Sequence, residues 1–315
     1  MEITMKDFLA IADYSPQTLL ELLDLAVRLK EEWKAGGNRP LLKGKTLAMI
    51  FQKPSLRTRV SFDMAMRHLG GDALYLSPAE IGLGKRESIA DIARVMSGYV
   101  EAMMARVFDH EHVVELARWA SIPVINGLSN YNHPCQALGD ALTIYEHFGK
   151  VKGLNISFVG DGNNVAVSLM HIAAKLGANF TIASPEGYEI SQKAVRLGQS
   201  IAVENGCRIT TLRDPREAVQ EADVIYTDTW VSMGQEDEAR KRETVFPPYQ
   251  VNASLVSKAK PTAIVMHCLP AHRGQEITDE VADGPHSMIF PQAHNRLHAQ
   301  KAILVHLLGA QERPA

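Results

Sequence analysis

Short runs of apolar residues alternate with longer stretches of helical periodicity along almost the whole chain. The short runs are apolar throughout instead of alternating with polar residues, which is typical of strands that are buried on both faces. The predicted strands are 46–51, 73–76, 102–107, 123–126, 155–160, 179–183, 208–212, 223–227, 262–267 and 287–290.

Between these strands the apolar residues recur at helical spacing, with helices predicted at 58–69, 88–97, 136–148, 165–176 and 191–204. Repeated strand–helix–strand units connect parallel strands by right-handed crossovers, so the predicted fold class is α/β with parallel sheets. A Gly-Lys-Val-Lys-Gly stretch at 149–153 interrupts the helical pattern and indicates a domain boundary. We therefore predict one domain at 1–148, a second at 149–290, and a tail at 291–315 that contains a terminal helix.

Composition and charge exclude several classes of protein. The 315 residues are 46% hydrophobic, and 33 basic residues against 36 acidic ones give a net charge of −3. This balance argues against binding to nucleic acid or to a membrane surface, and no apolar run is long enough to span a membrane. Three cysteines and an N-terminal segment without signal-peptide character predict a reducing, cytoplasmic setting.

The first candidate site is the sequence Lys-Pro-Ser-Leu-Arg-Thr-Arg at 53–59, between a predicted strand and a predicted helix. A helix N-terminus favours a phosphate group, to which Ser55 and Thr58 add hydroxyls and Arg57 adds a forked pair of donors. The alternative is an N-cap at Ser55 followed by arginines that face solvent. The position after a strand, where ligands of α/β proteins bind, favours the anion site.

Two further positions follow predicted strands of the same domain. Arg106 ends an apolar strand, where a buried cation needs an anionic partner, and we interpret it as an anion ligand. His133 and Gln136 begin the next predicted helix in the sequence His-Pro-Cys-Gln. They could polarise a carbonyl or hold an amide, although His133 could equally be a buried structural residue.

The second domain offers three candidate segments. Gly160-Asp-Gly162 is part of a dinucleotide fingerprint whose third glycine is replaced by Val165, so a nicotinamide enzyme is an alternative hypothesis. Asp228 and Ser232 follow a strand and could grip the two ends of an amino acid. Cys268 follows another strand, but no spacing of its neighbours is typical of a zinc site, and we predict neither a metal nor a cofactor.

Taken together, these segments resemble the transcarbamoylase family. The shared motifs are Ser-Leu-Arg-Thr-Arg at 55–59, His-Pro-Cys-Gln at 133–136, Asp-Thr-Trp-Val-Ser-Met-Gly at 228–234, His-Cys-Leu-Pro at 267–270 and Asn-Arg-Leu-His-Ala-Gln-Lys-Ala at 295–302. The first two resemble all members of the family, whereas the third and fourth resemble members that use ornithine. The resemblance covers both predicted domains in the same order.

The resemblance implies carbamoyl transfer from carbamoyl phosphate to L-ornithine, giving citrulline in arginine metabolism. It implies a first domain for carbamoyl phosphate, a second for ornithine with the active site in the cleft between them, and a C-terminal helix that returns to the first. It also implies a homotrimer or a higher assembly of trimers, in which a loop near 79–87 reaches the neighbouring subunit's site.

Site residues are implied by position. Carbamoyl phosphate would be bound by Ser55, Leu56, Arg57, Thr58, Arg106, His133, Gln136, Cys268, Leu269 and Arg296. Ornithine would be bound by Asn164, Asp228, Ser232, Met233, Cys268 and Leu269. The catalytic residues would be Arg57, Arg106, His133 and Cys268. A transcarbamoylase with another acceptor, such as putrescine, and a non-catalytic member of the family remain alternatives.

Overall fold

The structure is a computed structural model that describes residues 6–84, 86–231 and 236–309. The described residues form two compact units. One contains the chain up to Leu142 together with the chain from Arg296 onwards, and the other contains Thr143–Asn295. Among the described residues, no helix is both long enough and apolar enough to cross a membrane.

The first unit is built around a four-stranded parallel sheet with the strand order β2-β1-β3-β4. Its strands are β1 (Thr46–Phe51), β2 (Asp72–Leu76), β3 (Ala102–Arg106) and β4 (Val124–Leu128). Its helices are α1 (Pro16–Lys34), α2 (Leu56–His68), α3 (Pro78–Ile81), α4 (Ile89–Met96) and α5 (His110–Trp119), with a 3-10 turn at Ile11–Asp13. Every residue of β3 and β4 is buried, including Arg106 and Asn126, as is typical of parallel strands covered on both faces.

The second unit contains a five-stranded parallel sheet with the order β7-β6-β5-β8-β9. Helix α6 (Pro134–Phe148) leads into it. The strands are β5 (Asn155–Val159), β6 (Asn179–Ala183), β7 (Ile209–Leu212), β8 (Val224–Thr227) and β9 (Ile264–His267). The helices are α7 (Asn164–Lys175), α8 (Gln192–Glu204), α9 (Pro215–Ala218), α10 (Ala239–Val245), α11 (Ala253–Val256) and α12 (Asp279–Ala282), with 3-10 turns at Glu236–Glu238 and Pro247–Tyr249. Helix α13 (Ile289–Leu307) begins in this unit and belongs to the first unit from Arg296 onwards.

The predicted fold class is confirmed, but the predicted strand at 287–290 is wrong. Ser287 makes a single bridge to Val265, and helix α13 begins at Ile289. Pro291 then occupies the first turn of the helix, where its missing N–H costs no intrahelical hydrogen bond. The run Met288–Phe290 is too short for periodicity to distinguish a buried strand from the start of a buried helix.

Each sheet has one point where the order of its strands reverses. In the first sheet this point lies between β1 and β3, and in the second it lies between β5 and β8. Ligands of open parallel sheets bind at the carboxyl ends of the strands beside such a point. The segments that follow these four strands contain most of the candidate residues, so the topology places the chemistry where an α/β protein binds its ligands.

Candidate active site

Helix α2 presents an open N-terminus directly after β1. Ser55 is the N-cap, and its hydroxyl accepts a hydrogen bond from the backbone N–H of Thr58. The backbone N–H groups of Leu56 and Arg57 have no carbonyl in a preceding turn to bind. The side chain of Leu56 is 75% exposed, so its backbone is the part that suits an anion. Arg57 is half-buried in the same turn.

Buried cations gather around His133 in this unit. His133, Arg106 and Arg296 are all buried. Burial, followed by the charges of Arg296, Arg106 and Lys53, holds the pKa of His133 well below its usual range. His133 is therefore a neutral imidazole, and the positive charge belongs to its neighbours. The structure thus brings together three residues that the motifs predict separately.

Lys53 belongs to this cluster, although the sequence analysis gave it no role. Its side chain is only 8% exposed, and its ammonium lies 4.9 Å from the ring centroid of Phe108. Burial and the charge of Arg106 lower the pKa of Lys53 to about 8. A buried ammonium beside another cation is costly without an anion. The signal in the sequence was its position two residues after β1.

Helix α13 contributes Arg296 to the same site. Its guanidinium donates a 2.9 Å hydrogen bond from Nη2 to the hydroxyl of Thr58, so the proton of that hydroxyl remains available to another acceptor. Helix α13 passes close to Gly139, where a Cβ would lie 3.3 Å from Cγ of Arg296, so a larger residue would require a small shift. Helix α13 thus places Arg296, which the family resemblance implies as a carbamoyl-phosphate ligand, beside Thr58.

Gln136 is oriented by a residue that the sequence analysis missed. The Gln136 amide nitrogen donates to Oδ1 of the buried Asp140 at 3.0 Å. Asp140 stands one turn further along α6, so the contact follows from i, i+4 spacing. Because the nitrogen is held in this way, the Gln136 amide presents its oxygen as an acceptor, which suits the N–H group of an amide ligand.

In the second unit the central group is the buried carboxylate of Asp228, directly after β8. Its Oδ1 accepts hydrogen bonds from the Thr229 backbone N–H at 2.8 Å and from Sγ of Cys268 at 2.9 Å. Its Oδ2 accepts from Nδ2 of Asn163 at 2.7 Å. An ionised carboxylate has about four acceptor positions, so about one remains for a ligand. Asn163 was missed by sequence reasoning, which selected its neighbour Asn164.

A buried acid fixes the segment that contains Cys268 and Leu269. Glu276 is fully buried, and its Oε1 lies 3.1 Å from Nε2 of His267. The other ring nitrogen of His267 accepts from the Leu269 backbone N–H at 2.8 Å. Leu269 has a φ of +60°, a left-handed conformation that costs a branched residue free energy and requires support of this kind.

Asp228, His267 and Cys268 bring three potential metal-binding atoms within 4.8 Å of one another. Both ring nitrogens of His267 are already engaged, with Glu276 and with the Leu269 backbone. The trio therefore offers two available ligands instead of the three or four typical of a protein zinc site. None of the three cysteines forms a disulfide.

Gly162 has a structural explanation that needs no dinucleotide. A Cβ at Gly162 would lie 2.1 Å from the backbone nitrogen of Ile190, so no other residue fits here without moving that backbone. The Gly162 N–H donates to the carbonyl of Tyr188 at 2.8 Å. Packing against the loop after β6 thus accounts for Gly162.

Two predicted ornithine-binding residues, Ser232 and Met233, lie outside the described residues. Asn164 is the first residue of α7 and is partly exposed. The described parts of the chain thus form a two-domain α/β protein with one cationic site and one site centred on a carboxylate.

Comparison with known proteins relates both parts of the chain to one protein family. The family model described as "Aspartate/ornithine carbamoyltransferase, carbamoyl-P binding domain" matches residues 6–146, and "Aspartate/ornithine carbamoyltransferase, Asp/Orn binding domain" matches 152–307. The chain is 56% identical over 304 residues to the ornithine carbamoyltransferase of Pyrococcus abyssi, with 96% of each chain covered. It is also 56% identical to that of Anoxybacillus flavithermus, with 98% of each covered.

A solved structure agrees with these matches. The ornithine carbamoyltransferase from Pyrococcus furiosus superposes with a TM-score of 0.96 at 53% identity, covering 99% of this chain and 100% of that one. The chain belongs to the aspartate/ornithine carbamoyltransferase family. The resemblance that the motifs indicated is thereby confirmed.

Proposed function

We propose that the chain transfers the carbamoyl group of carbamoyl phosphate to the side-chain amine of L-ornithine, giving L-citrulline and phosphate. The observation that carries the choice of acceptor is the buried carboxylate of Asp228, whose contacts with Asn163, Thr229 and Cys268 are all with neutral groups. Such a carboxylate suits the α-ammonium group of an amino acid. The similarity to ornithine carbamoyltransferases supports the same acceptor.

The phosphate of carbamoyl phosphate binds at the start of α2. Ser55, the backbone N–H of Leu56, Arg57 and Thr58 surround it, and Arg296 supports Thr58 through their hydrogen bond. The dipole of the helix and its unpaired N–H groups favour the anion. The ammonium of Lys53, 4.9 Å from the centroid of the Phe108 ring, adds positive charge to this site.

The carbonyl oxygen of the carbamoyl group faces Arg106, His133 and the Thr58 hydroxyl. Negative charge develops on this oxygen as the amine attacks, and donors already in place stabilise it without reorganisation. His133 acts as a neutral donor because its pKa is lowered by burial and by the surrounding cations. The Gln136 side-chain oxygen, oriented by Asp140, accepts from the carbamoyl amide.

Ornithine is held by its α-amino and carboxylate groups. Asp228 binds the α-ammonium, while Asn164 and the segment containing Ser232 and Met233 bind the carboxylate. Cys268 lies next to the reacting amine, and the Leu269 backbone carbonyl orients the carbamoyl amide. Because the nucleophile belongs to the substrate, the protein contributes position and charge stabilisation, and the reaction as written requires no metal or cofactor.

The deprotonated amine attacks the carbonyl carbon, and a C–N bond forms as the C–O bond to phosphate breaks. Phosphate leaves with the electron pair of that bond and can accept the proton that the attacking nitrogen loses. Among the charged groups described, Arg57 and Arg106 retain their charge throughout, so the site remains complementary to the departing anion.

The expected assembly is a homotrimer or a group of trimers, as the family resemblance implies, and the expected location is the cytoplasm, as the cysteine content predicts. Support comes from α2, where Leu56, Val60 and Met64 recur at i, i+4 and i+8 with 75%, 49% and 37% exposure. Sedimentation equilibrium should give three times the mass of the chain or a multiple of it. Val60→Glu should reduce that mass, and a monomeric unsubstituted chain would exclude this assembly.

A citrulline assay with carbamoyl phosphate tests the reaction directly. L-ornithine, N-acetylornithine, putrescine and aspartate are compared as acceptors at equal concentration. We expect turnover with ornithine alone, because only ornithine combines a free α-ammonium, an α-carboxylate and a side-chain amine. Turnover with putrescine or N-acetylornithine would contradict the role of Asp228, and no turnover with any acceptor would favour a non-catalytic protein.

A further inference from the structure

The segment after β8 is tied to its surroundings by one arginine that the reaction above does not use. Arg242 lies on α10, whose other residues are mostly exposed, yet Arg242 itself is only 4% exposed. An arginine is rarely buried to this extent unless its charge is compensated. The contacts of Arg242 therefore show which groups compensate its charge.

The guanidinium of Arg242 joins three separate parts of the second unit. Nη1 donates to Oδ2 of Asp161, after β5, at 2.8 Å, and also to the Trp230 carbonyl, after β8, at 2.8 Å. Nε donates to Oε2 of Glu238 at 3.0 Å. The side chains of Asp161 and Arg242 are 8% and 5% exposed, so water barely screens this ion pair. Arg242 thus connects the segments that follow β5 and β8, the two strands between which the strand order reverses.

Aromatic rings fix the plane of the guanidinium. Its central carbon lies 4.7 Å from the ring centroid of Tyr188 and 5.7 Å from that of Phe246. Trp230 and Phe246 pack in the same small cluster. A planar, forked cation can stack and donate in two directions at once, which the single ammonium of lysine cannot do.

This pair lies next to the carboxylate proposed to bind ornithine. Asp161 and Asp228 are close enough to repel each other electrostatically, and Asn163 links the β5 loop to Asp228 by a 2.7 Å hydrogen bond. Arg242 pairs with Asp161 and Glu238, whereas the hydrogen bonds that Asp228 accepts from Asn163, Thr229 and Cys268 all come from neutral groups. The Trp230 carbonyl, two residues after Asp228, is held by the same guanidinium.

On the basis of the proposed function, we propose that the Asp161–Arg242 ion pair positions Asp228 for the α-ammonium group of the amino-acid substrate. It does so by holding the loop Asp228–Trp230 against the loop after β5 and by compensating the charge of Asp161, a carboxylate that would otherwise compete for the same ammonium. Arg242 and Asp161 are positioning residues, since they act through Asp228.

The pair also gives ornithine binding a defined pH dependence. Burial raises the pKa of Asp161 to about 6; Arg242 opposes this rise, while Asp228 and Glu238 add to it. Above about pH 6 Asp161 is ionised and the pair is intact, and below that pH it becomes protonated and the pair weakens. Lys241 is a further cation at the cluster, 5.7 Å from the Tyr188 ring. The KM for ornithine, expressed for the form with a deprotonated side-chain amine, should therefore rise as the pH falls through 6.

The test compares Arg242→Gln, Arg242→Lys and Asp161→Asn in the full chain at pH 8. Removing one member of a buried pair leaves the other uncompensated, so we expect the KM for ornithine to rise about tenfold or more in Arg242→Gln. The KM for carbamoyl phosphate should stay within about twofold, and Arg242→Lys should recover part of the loss. Arg216→Gln, which removes the exposed partner of Asp214, is the matched control.

Two further measurements separate positioning from general loss of structure. The double variant Asp161→Asn/Arg242→Gln should be less impaired than the product of the single effects, since contacting residues are not additive. Asp161→Asn should also lack the rise in the KM for ornithine below pH 6. If Arg242→Gln does not fold, the pH profile of Asp161→Asn decides alone.

An ornithine KM within twofold of the unsubstituted chain in Asp161→Asn and Arg242→Lys, with an unchanged pH profile, would overturn the inference. Parallel rises in both KM values would overturn it as well, since they would indicate a merely structural role. Failure of the proposed function would appear differently, as no citrulline from the unsubstituted chain. Calorimetric titration of the same variants with L-ornithine would then decide whether the pair positions a binding carboxylate.

Discussion

The two units place opposite charges at the same point of similar sheets. In the first, Lys53 follows β1 and Arg106 ends β3, and Arg296 and the neutral His133 complete a cluster in which cations lie close together. In the second, Asp161 and Asp228 follow β5 and β8, and Arg242 forms an ion pair with Asp161. A parallel sheet provides the same location in both units, and the residues after the strands decide what it binds.

The two sites also differ in how their charged groups are stabilised before a ligand binds. In the cationic cluster, burial and the neighbouring positive charges lower the pKa values of Lys53 and His133. The carboxylate of Asp228 is hydrogen-bonded by Asn163, Thr229 and Cys268. We therefore expect the first site to depend on the charge of several cations and the second on the charge of one oriented carboxylate.

Removing a cation from the first site should have the largest effect. Arg106→Ala deletes a donor to the oxygen on which charge develops, and loss of one such donor typically lowers kcat by about 10²–10³. Arg57→Ala should fall in the same range. The rate of citrulline formation checks both, with the exposed Arg216→Ala as a control. A loss below tenfold in both variants, with the fold intact, would contradict the anion site.

Neutralising the acid of the second site should have the next largest effect, and on one substrate only. Asp228→Asn keeps the shape but loses the charge, and a hydrogen bond to a charged group contributes about 1.5–3 kcal/mol, or about 10- to 100-fold in kcat/KM for ornithine. The KM for carbamoyl phosphate should hardly change. Asp214→Asn is the control, because Asp214 caps the exposed start of α9. Equal losses of kcat/KM for ornithine and for carbamoyl phosphate in Asp228→Asn would contradict the proposed difference between the units.

We expect Lys53 to make a smaller, pH-dependent contribution to anion binding. Its pKa of about 8 makes the ammonium half protonated at pH 8, and a bound dianion raises that pKa, so binding should take up about half a proton per site. The adjacent Arg106 stays charged and His133 stays neutral, so neither contributes. Affinity should fall as the pH rises from 7 to 9, because the charged form of Lys53 is lost.

Titration with sulfate in two buffers of different ionisation enthalpy measures this proton directly, since sulfate keeps its double charge over this range. Lys53→Met should abolish the uptake and weaken sulfate binding several-fold at pH 7. Lys258→Met, an exposed substitution, should change neither. Unchanged proton uptake in Lys53→Met would assign the coupling to another group and remove Lys53 from the site.

The sequence predicts the strands well because a buried parallel strand is apolar throughout. It predicts site residues where a motif follows such a strand, as with Arg106 and Asp228. It could not predict residues that act through a partner elsewhere in the chain: Glu276 fixes His267, and Arg242 meets Asp161. Their separate stretches look like ordinary helical or polar sequence, and only the fold brings them together.

The smallest expected effect tests the alternative hypothesis that the chain is a nicotinamide enzyme. A dinucleotide places its pyrophosphate beside the first glycine-rich turn, which in this unit is the loop after β5. That loop contains Asp161, and Asp228 faces it, so the turn presents carboxylates where two phosphates would have to bind. Gly162 is required by the backbone of Ile190 instead. NADH fluorescence should therefore not change when the protein is added at micromolar concentration. A saturable change that L-ornithine displaces would show that this turn binds an anion after all, and the contrast between a cationic and an acidic unit would fail.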